Sequence, residues 1–449
     1  MSEKSKTGLL KTWKTHYCNE ITVENSSESE MIKIAGWVHF IRDKGKLLFI
    51  KLRDSTGITQ VTIHKEKVSE EVFSIAKSLT LESVVTITGK IVADKRAETG
   101  AEVRPEKIDI HSLSDVRIPI DITGKKTTFD VDTAFKYREL SIRMESVRAV
   151  MEIKAEVAKA VRTFFTSKGF TEIFTPYIIA TATEGGAAKF ELDYFGVPAV
   201  LAQSCQFYKQ ATIATHEKVF GIIPSWRAEK SRTPKHITEF HQIENEIAFG
   251  SAETIMEVQE QLVHYVVEHV KNCCQNQLEV LERKNLKVPE LPFKRLTFYE
   301  AKEIIEKELG LEEPREEDFG ATTEAALSKH FKDPFFITDF PVHLRGMYYE
   351  TKVDDNTLTD SLDLVAPEGF GELSSGGQRV ASLERLLERI EKADLDKRNF
   401  EWYLRMFQYG MPPHAGYGLG FERLVRWICG LSHIREALCF PRTPDLFSP

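Results

Sequence analysis

The segment from Ile222 to Glu246, IIPSWRAEKSRTPKHITEFHQIENE, is rich in side chains that bind phosphate groups and aromatic bases. Two extended runs flank a polar, basic turn, and this pattern predicts an antiparallel hairpin. Arg227 can bind a phosphate through two hydrogen bonds, and Lys235 and His236 can contact further phosphates. Phe240 offers a ring on which a base can stack. A solvated surface hairpin has a similar composition, so the segment alone leaves both interpretations open.

A second segment near the end of the chain, Gly416 to Arg423, reads GYGLGFER and precedes the apolar helical run LVRWICGL. Its three glycines stand at alternate positions, which permits close approach of a neighbouring backbone or ligand. Arg423 lies at the start of the predicted helix. Taken alone, such a glycine run is more often a sign of strand and turn packing than of a ligand site.

These two segments occur in a fixed order with a third, GFTEIFTP at Gly169–Pro176. Together the three segments resemble motifs 1, 2 and 3 of the class II aminoacyl-tRNA synthetases, and the resemblance extends over nearly the whole chain. No segment resembles the HIGH or KMSKS signatures of class I. The resemblance implies that an amino acid is activated with ATP and then transferred to a tRNA.

The family's nucleotide-binding positions can be carried over to this sequence. Arg227 would contact the α-phosphate and the attacking carboxylate, and Arg423 with Lys235 and His236 would hold a bent triphosphate. Phe240 and Arg423 would enclose the adenine. The implied ATP-binding set is Arg227, Ala228, Glu229, Lys235, His236, Phe240, Glu372, Gly420 and Arg423, with Arg227 and Arg423 as the catalytic residues.

Oxygen-bearing side chains follow on consecutive predicted strands, at Asp363, Glu372 and Ser375. Such ligands suit a hard cation held together with nucleotide phosphates, although isolated acids are also common on surfaces. Glu372 stands seven residues before Arg379, the spacing that the family shows between its magnesium-binding Glu and its side-chain-binding Arg. The resemblance therefore implies Mg²⁺ at Asp363, Glu372 and Ser375.

The residues of these motifs, together with an N-terminal OB domain, limit the resemblance to the aspartyl, asparaginyl and lysyl subgroup. The segments RAEKSRTPKHITEF, VAPEGFGE and PRTP are closest to asparaginyl members, which implies L-asparagine and tRNA(Asn) as substrates. Lys209 departs from that pattern, since aspartyl members keep a lysine there; an acid beside Lys209 would neutralise it and preserve selectivity for asparagine. The implied amino-acid-binding residues are Glu184, Gln206, Lys209, Arg227, Ser375 and Arg379, with Glu184 on a TEGG loop expected to close over the substrate.

Other functions remain to be weighed against this one. An aspartyl or relaxed-specificity enzyme is the main alternative. A non-catalytic paralogue would have lost Arg227, Glu372 or Arg423, and all three are present. A paralogue that makes free asparagine would lack the N-terminal OB-fold barrel, which this sequence predicts at residues 20–114.

Residues 20–114 contain short alternating strands, with a helical run at 68–78 between the third and the fourth. This pattern predicts an OB-fold barrel, either structural or able to bind single-stranded nucleic acid. In the subgroup that the chain resembles, Phe49, Arg42 and Gln60 fall on positions that bind anticodon bases. Phe49 would stack on the central base.

The predicted organisation is α+β: an N-terminal tail at 1–19, the barrel at 20–114, a connector at 115–138, and a catalytic domain at 139–449 built on an antiparallel sheet flanked by helices. Apolar residues recur at helical spacing from Ser146 to Lys168, and Gly169 predicts the end of that helix. In the family this helix and the strand after it form the dimer interface, so a homodimer is expected.

The composition agrees with a globular enzyme of two or three domains: 449 residues, 42% hydrophobic, 29% charged and a net charge of −8. The negative charge argues against a basic nucleic-acid coat but allows a local basic groove. Six cysteines without paired metal spacing indicate reduced thiols. No secretory leader and no apolar run of membrane-spanning length is recognised, and a cytoplasmic location is predicted.

Overall fold

The computed structural model describes residues 13–27, 29–114, 117–124, 128–181, 188–230 and 233–448. Its contacts divide the chain into two compact units, Met1–Asp130 and Val131–Pro449.

The first unit is a closed five-stranded barrel with strand order β1-β2-β3-β5-β4. The strands are β1 (Ile32–Asp43), β2 (Leu47–Asp54), β3 (Gly57–His64), β4 (Val84–Ala93) and β5 (Ala101–Ser112), and helix α1 (Glu70–Ser78) lies between β3 and β4. The predicted OB-fold is confirmed.

Strict alternation along the strands builds this barrel. In β2, Leu48, Ile50 and Leu52 are buried in the barrel core, while the residues between them are partly exposed. Because successive side chains of a strand point to opposite faces, Phe49 and Lys51 lie on the outer surface. The alternation that predicted the strand therefore also decides which residues a ligand could reach.

The predicted N-terminal tail is folded at its end. A 3₁₀ turn spans Cys18–Glu20, and Cys18 is fully buried. Asp54 explains this packing, because its carboxylate accepts the Cys18 N–H at 3.1 Å and pairs with Lys14 at 3.0 Å. The predicted limits of the tail and the other domains otherwise stay a prediction.

The second unit contains an eight-stranded sheet of order β12-β13-β14-β15-β16-β11-β10-β6 and a three-stranded sheet of order β7-β9-β8. The strands are β6 (Thr171–Glu172), β7 (Ile178–Ile179), β8 (Glu191–Tyr194), β9 (Val197–Leu201), β10 (Lys218–Trp226), β11 (Glu239–Ala248), β12 (Lys294–Thr297), β13 (Phe335–Thr338), β14 (Ser361–Ala366), β15 (Gly371–Arg379) and β16 (His414–Gly420). The six central strands of the large sheet are antiparallel, as predicted, whereas the outermost pairs, β12 with β13 and β10 with β6, are parallel.

Helices pack around these sheets. They are α2 (Val131–Lys136), α3 (Arg138–Ser141), α4 (Glu145–Ser167), α5 (Gln206–His216), α6 (Ala252–Cys273), α7 (Gln275–Val280), α8 (Phe298–Lys307), α9 (Ala321–His330), α10 (Leu383–Lys392), α11 (Glu401–Gln408) and α12 (Phe421–Cys429), with 3₁₀ turns at Val342–Leu344, Lys397–Phe400 and Ile434–Ala437. Helix α2 lies within the predicted connector. With six residues it is too short to show the helical repeat of apolar residues in the sequence.

The main core lies between the large sheet and helices α4, α6 and α12. Phe165 of α4 stacks on Phe220 of β10 with ring centroids 4.7 Å apart. Local signals set the helix limits: the Ser251 hydroxyl accepts the Thr254 N–H at the start of α6, and Gly430 takes the left-handed conformation after α12. In the described part of the chain, every helix is too short or too polar to cross a membrane.

Candidate active site

A cavity of about 980 Å³ opens on the second unit, over the central strands of the large sheet. Its wall contains most of the side chains predicted to bind the nucleotide and the amino acid: Gln206, Arg227, Glu229, Lys235, His236, Phe240, Glu372, Ser375, Gly420 and Arg423. Lys209, Asp363 and Arg379 are buried and do not line the cavity, Ala228 is partly exposed and does not line it either, and Glu184 falls outside the described residues. The structure thus gathers residues that are up to 217 positions apart, from Gln206 to Arg423.

The predicted hairpin is formed by β10 and β11, which pair from Lys218↔Ile247 to Trp226↔Glu239. Arg227 follows β10 directly, and its N–H donates to the Thr238 carbonyl at 3.0 Å. This hydrogen bond holds the start of the turn. The Arg227 guanidinium lies 5.6 Å from the centre of the Phe240 ring. Ala228 contributes its backbone, donating its N–H to Ala188 at 2.8 Å.

Cations crowd one part of the cavity wall. Lys235 forms an ion pair with Glu324, whose other carboxylate oxygen accepts the Glu372 N–H at 2.7 Å. Burial lowers the pKa of His236, and the positive charge of Arg423 adds to that effect. Arg423 Nη1 likewise lies 3.0 Å from Glu372 Oε1, so Lys235 and Arg423 are both paired with carboxylates and would exchange these partners to bind a phosphate.

An irregularity in β15 brings Glu372 and Ser375 to one face. Residues three apart on a regular strand point to opposite sides, but the register shifts so that Val365 pairs with Glu372 while Asp363 pairs with Ser375. This bulge aligns Asp363, Ser375 and Glu372 on the same side of β14 and β15. The predicted metal ligands are therefore neighbours.

The two carboxylates of this group differ in how readily they ionise. Burial raises the pKa of Asp363 to about 7, with Arg345 opposing the rise and the negative Glu372 adding to it. Burial would also raise the pKa of Glu372, but Arg423, Lys235 and other cations lower it to about 2. Asp363 Oδ2 accepts from Arg345 at 2.7 Å, while its buried Oδ1 has no hydrogen-bond partner among the described residues. An orphaned buried oxygen beside an ionised carboxylate fits a hard cation.

The alternate glycines of β16 leave room for polar side chains of β11. Gly420, Gly418 and Gly416 pair with Gln242, Glu244 and Glu246 in register. A Cβ at Gly416 would lie 2.0 Å from Glu246 Oε2, and one at Gly418 would lie 3.0 Å from Glu244 Oε1. The glycines therefore allow two carboxylates to lie flat against the neighbouring strand.

Those carboxylates belong to a buried group of four charges, Lys209, Glu244, Glu246 and Arg379, which we call the charge cluster. Lys209 Nζ lies 2.6 Å from Glu244 Oε2 and 3.2 Å from Glu246 Oε2. Arg379 Nε donates to Glu246 Oε1 at 3.0 Å. All four side chains are at most 3% exposed.

Pairing favours the charged forms of Lys209 and Glu246. Burial disfavours the Lys209 ammonium, but Glu244 and Glu246 more than offset this effect and raise its pKa. Burial likewise opposes ionisation of Glu246, yet Arg379 and then Lys209 lower its pKa. An acid was expected beside Lys209, and the structure places two there, Glu244 and Glu246.

Arg379 is the member predicted to contact the substrate side chain. It is only 1% exposed, and its Nη2 donates to the Gly416 carbonyl at 2.7 Å. Tyr348 and Tyr349, whose ring centroids lie 5.4 and 4.8 Å from the guanidinium carbon, line the cavity. Nη1 is buried and has no hydrogen-bond partner in the described part of the chain, so one donor remains for a ligand.

Two residues of the site, Glu244 and Arg345, were not predicted from the sequence. Glu244 lines the cavity, and Arg345 holds Asp363 while donating to Ser375 Oγ at 3.3 Å. Polar residues at alternate positions of β11 were a signal for Glu244. Arg345 lies in a loop without periodicity, so its role follows only from tertiary structure.

The residues predicted to bind anticodon bases lie on β1, β2 and β3 of the first unit. Phe49 pairs with Arg42 on one side and with Thr62 on the other. Arg42 is exposed and Phe49 partly so, whereas the Gln60 amide donates to Glu102 at 3.0 Å. Exposed Trp37 and Phe40 on β1 extend this aromatic and basic surface.

Comparisons with known proteins agree with this architecture. Residues 130–444 match the family of tRNA synthetases class II (D, K and N), and residues 32–110 match the OB-fold nucleic acid binding domain. The chain is 40% identical to an asparagine–tRNA ligase of Pyrococcus furiosus, covering 96% of this chain and 99% of the relative. It is 41% identical to an aspartate–tRNA(Asp/Asn) ligase of Methanopyrus kandleri, covering 97% and 100%.

Among solved structures, asparaginyl-tRNA synthetase from Pyrococcus horikoshii complexed with asparaginyl-adenylate is similar over 98% of this chain and 100% of its own, with a TM-score of 0.91 and 37% identity. Both the sequence match and the arrangement of the cavity therefore lead to one assignment. The chain belongs to the class II tRNA synthetases of the D, K and N group and carries their OB-fold nucleic acid binding domain.

Proposed function

We propose that this chain is an asparaginyl-tRNA synthetase, which activates L-asparagine with ATP and transfers it to tRNA(Asn). The relatives of 40% and 41% identity include both asparagine and aspartate ligases, so identity alone does not choose between these substrates. The observation that carries the choice is the charge cluster, of which Glu244 lines the cavity.

The formal charge of this cluster is zero, because Lys209 and Arg379 supply two positive charges and Glu244 and Glu246 supply two negative charges. A neutral amide can bind beside such a cluster without adding an uncompensated charge. An aspartate carboxylate would add one in a buried place, where an unpaired charge is costly. The cluster thus favours asparagine.

Individual atoms of the cluster and its surroundings match the two ends of an amide. Arg379 Nη1 is a buried donor that can bind the amide oxygen, and the cavity-lining Glu244 carboxylate can accept the amide N–H₂. Gln206, at the start of α5, lines the same cavity with a buried side-chain nitrogen that has no partner among the described residues. Glu184, also predicted to bind the amino acid, lies outside the described residues and stays a prediction.

Activation joins the asparagine carboxylate to the α-phosphorus of ATP and expels diphosphate. No protein nucleophile is needed, since positioning and charge stabilisation lower the barrier. Arg227 would bind the α-phosphate and the attacking carboxylate, while Lys235, His236 and Arg423 would hold the outer phosphates. The adenine would stack on the Phe240 ring. The Arg227 guanidinium lies 5.6 Å from the centre of this ring, so the adenine and the α-phosphate would bind next to each other.

The orphaned Asp363 oxygen and the aligned Glu372 and Ser375 fit a magnesium ion. When bound, Mg²⁺ would neutralise negative charge on the phosphates. Glu372 would be the principal ligand, because it lines the cavity and its low pKa keeps it ionised. Arg345 would orient Asp363 through their 2.7 Å hydrogen bond.

The barrel is proposed to bind the tRNA anticodon. Phe49 offers a stacking surface, with Arg42 directly across the strand pair to contact phosphate or base edges. Gln60 would need to exchange its hydrogen bond to Glu102 for one to a base.

A homodimer is proposed through α4 and the GFTEIFTP segment that follows it, as the resemblance implies. Phe174 in that segment is 83% exposed, and Phe195 and Val197, at the β8–β9 turn of the small sheet, are 91% and 59% exposed, which is unusual for side chains of this size. A second copy of the chain would bury them, and sedimentation at micromolar protein should show twice the monomer mass. A cytoplasmic location also remains a prediction.

Aminoacylation of purified tRNA(Asn) with labelled asparagine tests the proposed function. The expected result is acid-precipitable label that depends on ATP and on Mg²⁺. Charging of tRNA(Asp) with aspartate, without charging by asparagine, would instead establish the aspartyl alternative.

A further inference from the structure

Three metal-binding side chains meet on the second unit outside the candidate active site. Glu156 lies on α4, and His269 and Cys273 lie one turn apart on the facing helix α6. One ligand atom from each residue can be chosen so that all three lie within 4.8 Å of one another. None of the three lines the active-site cavity, and the activation reaction uses none of them.

The two ring nitrogens of His269 face different partners. Nε2 lies 2.7 Å from Glu156 Oε2, and Nδ1 lies 3.9 Å from Cys273 Sγ. The Tyr265 ring stacks against His269 at a centroid distance of 6.4 Å and limits rotation of the imidazole. The imidazole is thus held with one nitrogen toward a carboxylate and the other toward a thiol.

This arrangement matches a carboxylate–histidine–metal unit. In such units the histidine binds the metal through one nitrogen and donates its other N–H to a carboxylate, which fixes the ring and raises its basicity. For tetrahedral zinc, bond lengths near 2.3 Å to sulfur and 2.0–2.1 Å to nitrogen place the two ligand atoms about 3.6 Å apart. The observed 3.9 Å needs only a small adjustment of the Cys273 side chain.

The surroundings leave space and charge for a cation. Cys273 is exposed, and Glu156 and His269 are partly exposed, so water can reach the site and complete the coordination. Lys159 is the nearby cation, at 3.4 Å from Glu156 Oε2, and it is largely exposed. Glu152, one turn earlier on α4, is bound to Gln277 and paired with Arg148 at 3.5 Å.

We propose that Cys273 and His269 bind a divalent transition-metal ion of the zinc type, with Glu156 as the residue that positions the imidazole. Binding replaces the thiol proton of Cys273, which passes to solvent, by a metal–sulfur bond. The metal would connect two positions of α6 and, through Glu156, hold α6 against α4. A site of sulfur and nitrogen ligands selects zinc, cobalt or copper over magnesium, so it would not compete with the active site for its cation.

Cobalt(II) added to the full-length, chelator-treated and reduced protein tests this site, because cobalt bound to a thiolate gives a near-ultraviolet charge-transfer band. We expect a band that saturates at one cobalt per chain and is displaced by zinc. Cys273→Ser and His269→Ala should abolish it. Cys439→Ser, a partly buried cysteine elsewhere in the same unit, is the matched control and should retain it.

Glu156 is tested through affinity. Glu156→Ala should weaken cobalt binding about 10- to 100-fold, and Glu156→Gln should recover part of that loss because its amide oxygen still accepts the His269 N–H. Zinc should raise the melting temperature of the wild type and leave that of Cys273→Ser unchanged. Absence of a band in the wild type, or a band that persists in Cys273→Ser, would overturn the proposal. Equal affinity in Glu156→Ala would overturn the positioning role.

Discussion

The Lys209 ammonium and the Glu244 carboxylate form a buried ion pair, with Nζ 2.6 Å from Oε2. A lysine at this position would attract the second carboxylate of aspartate if it were free. Here Glu244 and Glu246 already compensate its charge, and the Tyr417 carbonyl accepts a further hydrogen bond at 3.1 Å. The substrate preference therefore depends on the balance of the whole charge cluster rather than on Lys209 alone.

Glu244→Gln should shift the preference toward aspartate. The change removes one negative charge and keeps the size of the side chain, so the charge cluster becomes positive. We expect the ratio of asparagine- to aspartate-dependent ATP–diphosphate exchange to fall at least about tenfold, or about 1.4 kcal/mol. Glu239→Gln, at the exposed start of β11, is the matched control. An unchanged ratio in a folded variant would refute the role of Glu244.

Lys209→Met should destabilise the protein. Removing one partner of a buried ion pair leaves an uncompensated charge, which typically costs about 3–5 kcal/mol. Urea unfolding followed by circular dichroism measures the change. Lys307→Met, which breaks the exposed pair with Glu303, should cost less than about 1 kcal/mol. If both variants lost the same small amount, the charge cluster would not be the buried network described here.

Arg227→Ala should abolish activation without unfolding the protein. Its guanidinium would strengthen its contact as charge develops on the α-phosphate, so exchange should fall by at least about 100-fold. Arg385→Ala, which removes an exposed arginine bound to Glu350, controls for loss of positive charge. Near-normal exchange in the Arg227 variant would exclude it from the reaction.

Phe49→Ala should separate the two steps of the reaction. Loss of base stacking worth about 1–3 kcal/mol should weaken charging of tRNA about 5- to 150-fold, while ATP–diphosphate exchange stays unchanged. Leu81→Ala, another exposed apolar residue of the barrel unit, should affect neither step. Equal damage to both steps in Phe49→Ala would indicate a structural role for this ring.

The fold was largely predictable because its signals are local. Alternating strands predicted the barrel, and the polar turn after Trp226 predicted the hairpin. The residues Arg227, Lys235, His236 and Arg423 were found in the same way, through motifs that are continuous in sequence.

What the sequence could not provide depends on contacts between distant segments. Lys209 on α5 and Glu244 on β11 are 35 positions apart, so their pairing follows from the packing of this helix on the sheet. The bulge that aligns Glu372 with Ser375 has no local signature in LVAPEGFGELSS, and Arg345 joins the site from a loop. The Glu156–His269 contact likewise bridges 113 positions between two helices.

Parallel ATP–diphosphate exchange with asparagine and with aspartate, at equal concentrations and without tRNA, tests the central claim most directly. A charge cluster of zero formal charge at the cavity predicts that asparagine supports exchange at least about tenfold better in kcat/KM, a difference of about 1.4 kcal/mol. Aspartate as the better substrate would contradict the account and would mean that Lys209 is available to the substrate carboxylate despite its two acidic partners.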